Sequence, residues 1–125
     1  DFGFISPTIS EITLEYSIDT ERIYAVGYSN EGLMVYRLAN YQNDLIAGVA
    51  SVSGVMLDCV GATTLPMPVL NLHGISDVVL PYNGNNFWNS TQSTLGHWIN
   101  FNSTATIPTI NSDSSGGATI EHYSL

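Results

Sequence analysis

Three short apolar runs set the folding problem for this chain: RIYAVGY at 22–28, LIAGVASVS at 45–53 and PVLNLH at 68–73. Each has the length of a strand, and each is apolar with little interruption, where a half-buried strand would alternate. Unbroken runs of this kind mark strands covered on both faces, the setting of a parallel sheet. Helix-length segments lie around them. Ser6-Pro7 reads as a cap followed by proline at the first helical position, and predicts a helix over 6–16. NEGLMVYRLANY follows the first run and is apolar nearly all round except at Arg37, which predicts a helix buried on most sides. Residues 86–102 predict a third helix, with Phe87, Trp88, Leu95, Trp98, Ile99 and Phe101 as its apolar face. Residues 54–67, 74–81 and 106–117 read as loops, and 118–125 as a last strand. The expectation is an α/β fold, a mostly parallel sheet with helices on both faces, in which 1–125 form one domain fragment with no repeat or linker.

Charge narrows the partners. The net charge is −9, and Arg22 and Arg37 are the two cationic side chains in 125 residues. Such a surface repels a phosphate backbone and an anionic membrane, so neither nucleic acid nor membrane is an expected partner. No apolar run has the length of a membrane span. Cys59 is alone and has no disulfide partner within the sequence. Low charge with many Ser, Thr and Asn residues suits a secreted or periplasmic protein. The triplets at Asn89 and Asn102 match the glycosylation pattern, and polar-rich sequence makes such triplets by chance. No cluster of His, Asp and Glu has metal-ligand spacing, so no metal or cofactor is expected.

The chemistry concentrates in two stretches. In AVGYSNEG, residues 25–32, a strand stops at Gly27-Tyr28 and a buried helix starts after Ser29. Ser29 and Asn30 are both favoured helix caps, and a lone Gly-x-Ser is common. The flanking strand and helix favour instead a strained elbow that exposes the Ser29 hydroxyl. Gly27 would give the turn its room, and the Asn30 N–H, at the helix start, would face a developing oxyanion. In LNLHGISDVVLPYNG, residues 70–84, Asp77 follows the third strand. An acid there reaches the same sheet edge as Ser29. The plainer reading of Asp77 is a local Asx-turn.

Together GYSNEGLMVYRLA and NLHGISDVVLPYNG resemble the polyhydroxybutyrate depolymerase and feruloyl-esterase-like branch of the α/β-hydrolases. The opening DFGFISPTISEITLEYSIDTERIYAVG resembles that branch's helix and strand before the elbow, and ATIEHYSL its final strand. The resemblance implies a serine carboxylic-ester hydrolase with Ser29 as nucleophile, Asp77 as the triad acid, Asn30 as an oxyanion N–H donor, and Gly27 and Gly32 as elbow glycines. It implies an ester substrate: a hydroxyalkanoate polyester, a feruloylated sugar or a short acyl ester. In the family the base follows the acid in a glycine-rich loop after the last strand. His73 precedes Asp77 and resembles the family's His-Gly pair at the strand end, where a structural, hydrogen-bonded role is expected; His97 lies in the third helix; and His122, the alternative base, follows Asp77 but lies within the last strand. The catalytic His is therefore expected outside this chain, as are the early strands and the second oxyanion donor. The fragment alone is expected to be inactive.

Glu31 departs from the pattern, which has Gly at that position. A Cβ there is expected to press the helix from the strand, and its carboxylate to slow the chemistry. Tyr28, Tyr82, Phe87 and Trp88 are candidate pocket aromatics, although helix packing is the expected role of Phe87 and Trp88. Two further readings stand beside the esterase. A prolyl-oligopeptidase-type serine peptidase has similar blocks, and a non-catalytic hydrolase-like binding module would accommodate Glu31.

Overall fold

The computed structural model describes residues 2–58, 65–113 and 116–124. Cys59 lies outside them. The elements run α1 (Phe2–Glu15), a 3-10 turn (Thr20–Arg22), β1 (Tyr24–Tyr28), α2 (Asn30–Tyr41), β2 (Gly48–Val52), β3 (Val69–Leu72), α3 (Thr91–Phe101), β4 (Thr109–Asp113) and β5 (Ala118–His122). β1, β2 and β3 form one parallel sheet in that order, with Tyr24 opposite Gly48 and Val49 opposite Val69. β4 and β5 form a separate antiparallel pair. The fold is α/β, with a mostly parallel sheet and helices packed on it.

Register explains the core. One face of the sheet carries Ala25, Val49 and Val69 in a row, then Gly27, Ser51 and Asn71. Against it α2 lays Val35, Tyr36 and Ala39, and α3 contributes Trp98 to the same cluster with Ile46, Met56 and Met67. Each fully buried side chain of this size contributes about 1.5–3 kcal/mol. α1 reaches the cluster through Ile9, and its Ser6 hydroxyl bonds the Gln42 side chain at 2.5 Å. Polar side chains near α3 satisfy backbone that the sheet leaves unpaired. Thr94 Oγ1 accepts from the Met56 N–H, and the Asn102 amide pairs with both the N–H and the C=O of Met67.

The other face is open. Tyr24, Val26 and Tyr28 of β1 are 62%, 72% and 67% exposed, and Leu70 and Leu72 of β3 are also exposed. Among the described residues, helices therefore cover one side of the sheet, although the apolar strands suit cover on both.

Three boundaries differ from the sequence reading. α1 starts at Phe2 and holds Pro7 within it, so this proline does not mark the first turn. α3 starts at Thr91, because Ser90 caps it by accepting from the Ser93 N–H. Upstream, Asn85 Oδ1 accepts from the N–H groups of Phe87 and Trp88 and holds them in a turn. Phe87 and Trp88 are thus not helical, and Phe87 is largely exposed. β4 falls within the expected loop 106–117, and β5 pairs with it rather than with the parallel sheet.

Candidate active site

The first element of the site is the turn between β1 and α2. Ser29 has φ 55° and ψ −115°, a left-handed backbone that a residue with a Cβ adopts at a cost of about 1–3 kcal/mol. Its side chain makes no capping hydrogen bond, so the cap reading of Ser29 fails. Its N–H donates to Val52 C=O at 2.8 Å, and its C=O accepts from the Leu33 N–H at 3.1 Å. The turn is thereby tied to the end of β2 on one side and to the first turn of α2 on the other. Asn30 is the first residue of α2, where backbone N–H groups have no intrahelical partner.

Glycines allow the chain to turn this tightly. A Cβ on Gly27 would stand 2.2 Å from the Glu31 carbonyl oxygen. Gly32 is buried against β2, where a Cβ would meet Ser51 Oγ at 2.9 Å and Val52 O at 3.1 Å. Glu31 itself is exposed. The crowding expected from its side chain is instead made by its backbone against Gly27, and its carboxylate stands in water.

Sequence reasoning missed the support beneath this turn. Ser51 is fully buried and donates to Gly32 C=O at 3.0 Å. Gly54, read as part of a loop, packs its backbone on Gly32, where a Cβ would lie 2.5 Å from the Gly32 carbonyl carbon. The Asn71 amide donates to Tyr36 Oη at 2.8 Å and to Gly54 C=O at 3.3 Å. Burial raises the Tyr36 phenol above its usual range, so it stays a neutral partner. The signal was present: Ser51 and Asn71 are the polar interruptions in otherwise apolar strands, and the register sets them side by side.

Asp77 lies beyond β3. Its N–H closes a turn on Gly74 C=O at 3.1 Å. Its Oδ1 accepts from the N–H groups of Val79 and Leu80, both at 2.9 Å. The Asx-turn reading is therefore correct, and it occupies one carboxylate oxygen. Those backbone bonds from Leu80 and Val79 hold the Asp77 carboxyl below its ordinary value of 3.8, against some desolvation. Asp77 is an anion at neutral pH.

β1, β2 and β3 are parallel, so Ser29 and Asp77 both emerge at the carboxyl edge of the sheet, one at each outer strand. Ser53 lies between them, with its N–H on Leu72 C=O at 2.8 Å. Two strand spacings separate the outer strands, about 10 Å in all. No hydrogen bond among the described residues joins Ser29 to Asp77. The histidines stand apart from that gap or serve other contacts. The His73 side chain is buried, with Nε2 2.7 Å from Leu80 C=O. His97 stacks on Phe101 and meets Trp98 edge-on within α3. His122 is exposed on β5, and no ion pair among the described residues links it to Asp77.

A cavity of about 200 Å³ opens beside the start of α2. Asn30, Leu33, Met34, Tyr36, Met56 and Leu57 line it, with Arg37 and Asp58 as its charged members. Among the described residues no group of three His, Cys, Asp or Glu side chains has a metal-binding arrangement. No described helix is long and apolar enough to cross a membrane.

No protein-family model matches the sequence. Individual proteins named as esterases do. The chain is 36% identical over 86 residues to esterase-named NocK of Nocardia uniformis subsp. tsuyamanensis, covering 67% of this chain and 25% of that protein. It is 33% identical over 82 residues to the bifunctional acetylxylan esterase/xylanase XynS20E of Neocallimastix patriciarum, covering 66% and 12%. It is 35% identical over 85 residues to a protein of Aspergillus clavatus named for feruloyl esterase C, covering 67% and 31%. The chain thus spans under a third of the length of each of these relatives, and the similarity is to esterase-named proteins of more than one kind.

Proposed function

We propose that this chain carries the nucleophile and the acid of a serine carboxylic-ester hydrolase. The observation that carries the reading is the backbone of Ser29: a non-glycine residue at φ 55° between a strand and a helix, with no capping bond to account for it. Strain held in this way is typical of groups that a site needs exposed. The similarity to esterase-named relatives supports the ester as substrate class.

In this reading Ser29 Oγ attacks the acyl carbonyl while an imidazole takes its proton. Asp77 orients that imidazole and stabilises its cation. The base and a second oxyanion donor come from outside residues 1–125, and this chain supplies the Asn30 N–H to the oxyanion. The alcohol leaves with the proton from the imidazole, and water then releases the acid from the Ser29 ester. The apolar cavity beside Asn30 is the acyl site, and it suits a feruloyl or short acyl group, or one unit of a hydroxyalkanoate polyester. Location in a secreted or periplasmic compartment belongs to the same proposal.

The test uses the intact protein and a fluorophosphonate, which labels an activated serine. Labelling at Ser29 that vanishes in Ser29→Ala is the expected result. Asp77→Asn should keep the fold and lower turnover on the order of 10⁴-fold, as misorientation of the base does in such triads. Absence of label in the wild type, or label that survives Ser29→Ala, would overturn the reading and favour a binding module.

A further inference from the structure

The loop after β3 is closed around a single residue, Leu80. The Leu80 N–H donates to Asp77 Oδ1 at 2.9 Å, and the Leu80 C=O faces His73 Nε2 at 2.7 Å. We propose that His73 is a positioning residue, which locks this loop through Leu80 and so aims the second carboxylate oxygen of Asp77 along the sheet edge. The proposal rests on the ester-hydrolase reading and adds to it a residue that touches neither substrate nor base.

Three features of His73 support this role. A carbonyl only accepts, so Nε2 must carry a ring proton, and in the neutral ring Nδ1 is then a bare acceptor. Nδ1 is buried with no hydrogen-bond partner. A buried unpaired acceptor is unfavourable, and its persistence points to the other nitrogen as the one the fold requires. The ring is also fixed in direction. Its side chain is 1% exposed, and Tyr82 meets it edge-on at 6.0 Å. Finally, Nε2 stands 3.8 Å from Asp77 Oδ2, beyond hydrogen-bond reach. His73 therefore bonds the loop without taking that oxygen, and the two oxygens of Asp77 are set apart. Oδ1 is held by the loop backbone, and Oδ2 receives no bond from it.

Two substitutions in the intact protein separate position from stability. His73→Leu keeps the bulk and removes the donor. His73→Gln sets an amide N–H near the place of Nε2–H. With p-nitrophenyl acetate as probe, His73→Leu should lose on the order of 10- to 100-fold in kcat with KM little changed, as displacement of a catalytic group by about 1 Å does. His73→Gln should recover most of that loss. Unchanged kcat in His73→Leu, a loss confined to KM, or equal loss in both variants would overturn the proposal.

If His73→Leu does not fold, nitrogen NMR of the wild-type imidazole decides instead. A proton on Nε2 supports the proposal, and a proton on Nδ1 alone overturns it. A wild-type protein that neither turns over the ester nor takes the phosphonate removes the ester-hydrolase reading itself. The lock on the loop then stands or falls on the tautomer.

Discussion

At Gly27 the backbone leaves no space for one more carbon. The Cβ of an alanine there would lie 2.2 Å from the carbonyl oxygen of Glu31, and the clash is with helix backbone that no rotamer change relieves. Gly27→Ala should lower stability by about 3 kcal/mol, the upper part of the usual range for overpacking. Urea unfolding checks this through a lowered midpoint, and loss of less than about 1 kcal/mol would mean that α2 shifts freely. Much of this turn was legible from Gly27, the strand before it and the apolar helix after it. The source of the crowding at Glu31 was not legible, because the spacing tells that the position is crowded without telling which atoms crowd it. Here they are backbone atoms, and the side chain is exposed. Gly54 was illegible for a related reason. Ser-Gly after a strand is ordinary loop punctuation, and its contact with Gly32 exists only once β1 and β2 are in register.

The elements were legible where apolar patterning set them. β1, β2, β3 and α2 are apolar with little interruption, and their segments stand out from their neighbours. β4 was missed because TINSD offers neither an apolar run nor alternation, and its partner β5 is also exposed. α3 was extended too far upstream because Phe87 and Trp88 look like one more helical turn. Asn85 takes their N–H groups and Ser90 sets the cap, which ends that extension. Within α3, Gly96 has nothing within 4 Å of the place a Cβ would occupy. Glycine inside a helix costs about 0.5–1 kcal/mol relative to alanine. Gly96→Ala should therefore stabilise the protein by that amount, read as a raised thermal midpoint. A lowered midpoint would show that α3 requires glycine for a contact not visible in its packing.

On the scale of the whole molecule, the two sides of the parallel sheet are unlike. One is closed by α2, α3 and Ile9 of α1, and the other presents Val26 and Leu70 in one row across Ala50, flanked by Tyr24, Tyr28 and Leu72. An exposed apolar patch of this kind binds the dye ANS without any unfolding. The chain should enhance ANS emission while fully folded, and Val26→Lys with Leu70→Lys should reduce that emission with little change in thermal midpoint. Emission that rises only on unfolding would mean that these residues are covered in solution. Anyone selecting better-behaved variants of this polypeptide for handling at high concentration therefore has a drawn target. Gains in colloidal behaviour should collect on these five exposed residues long before they appear in the interior.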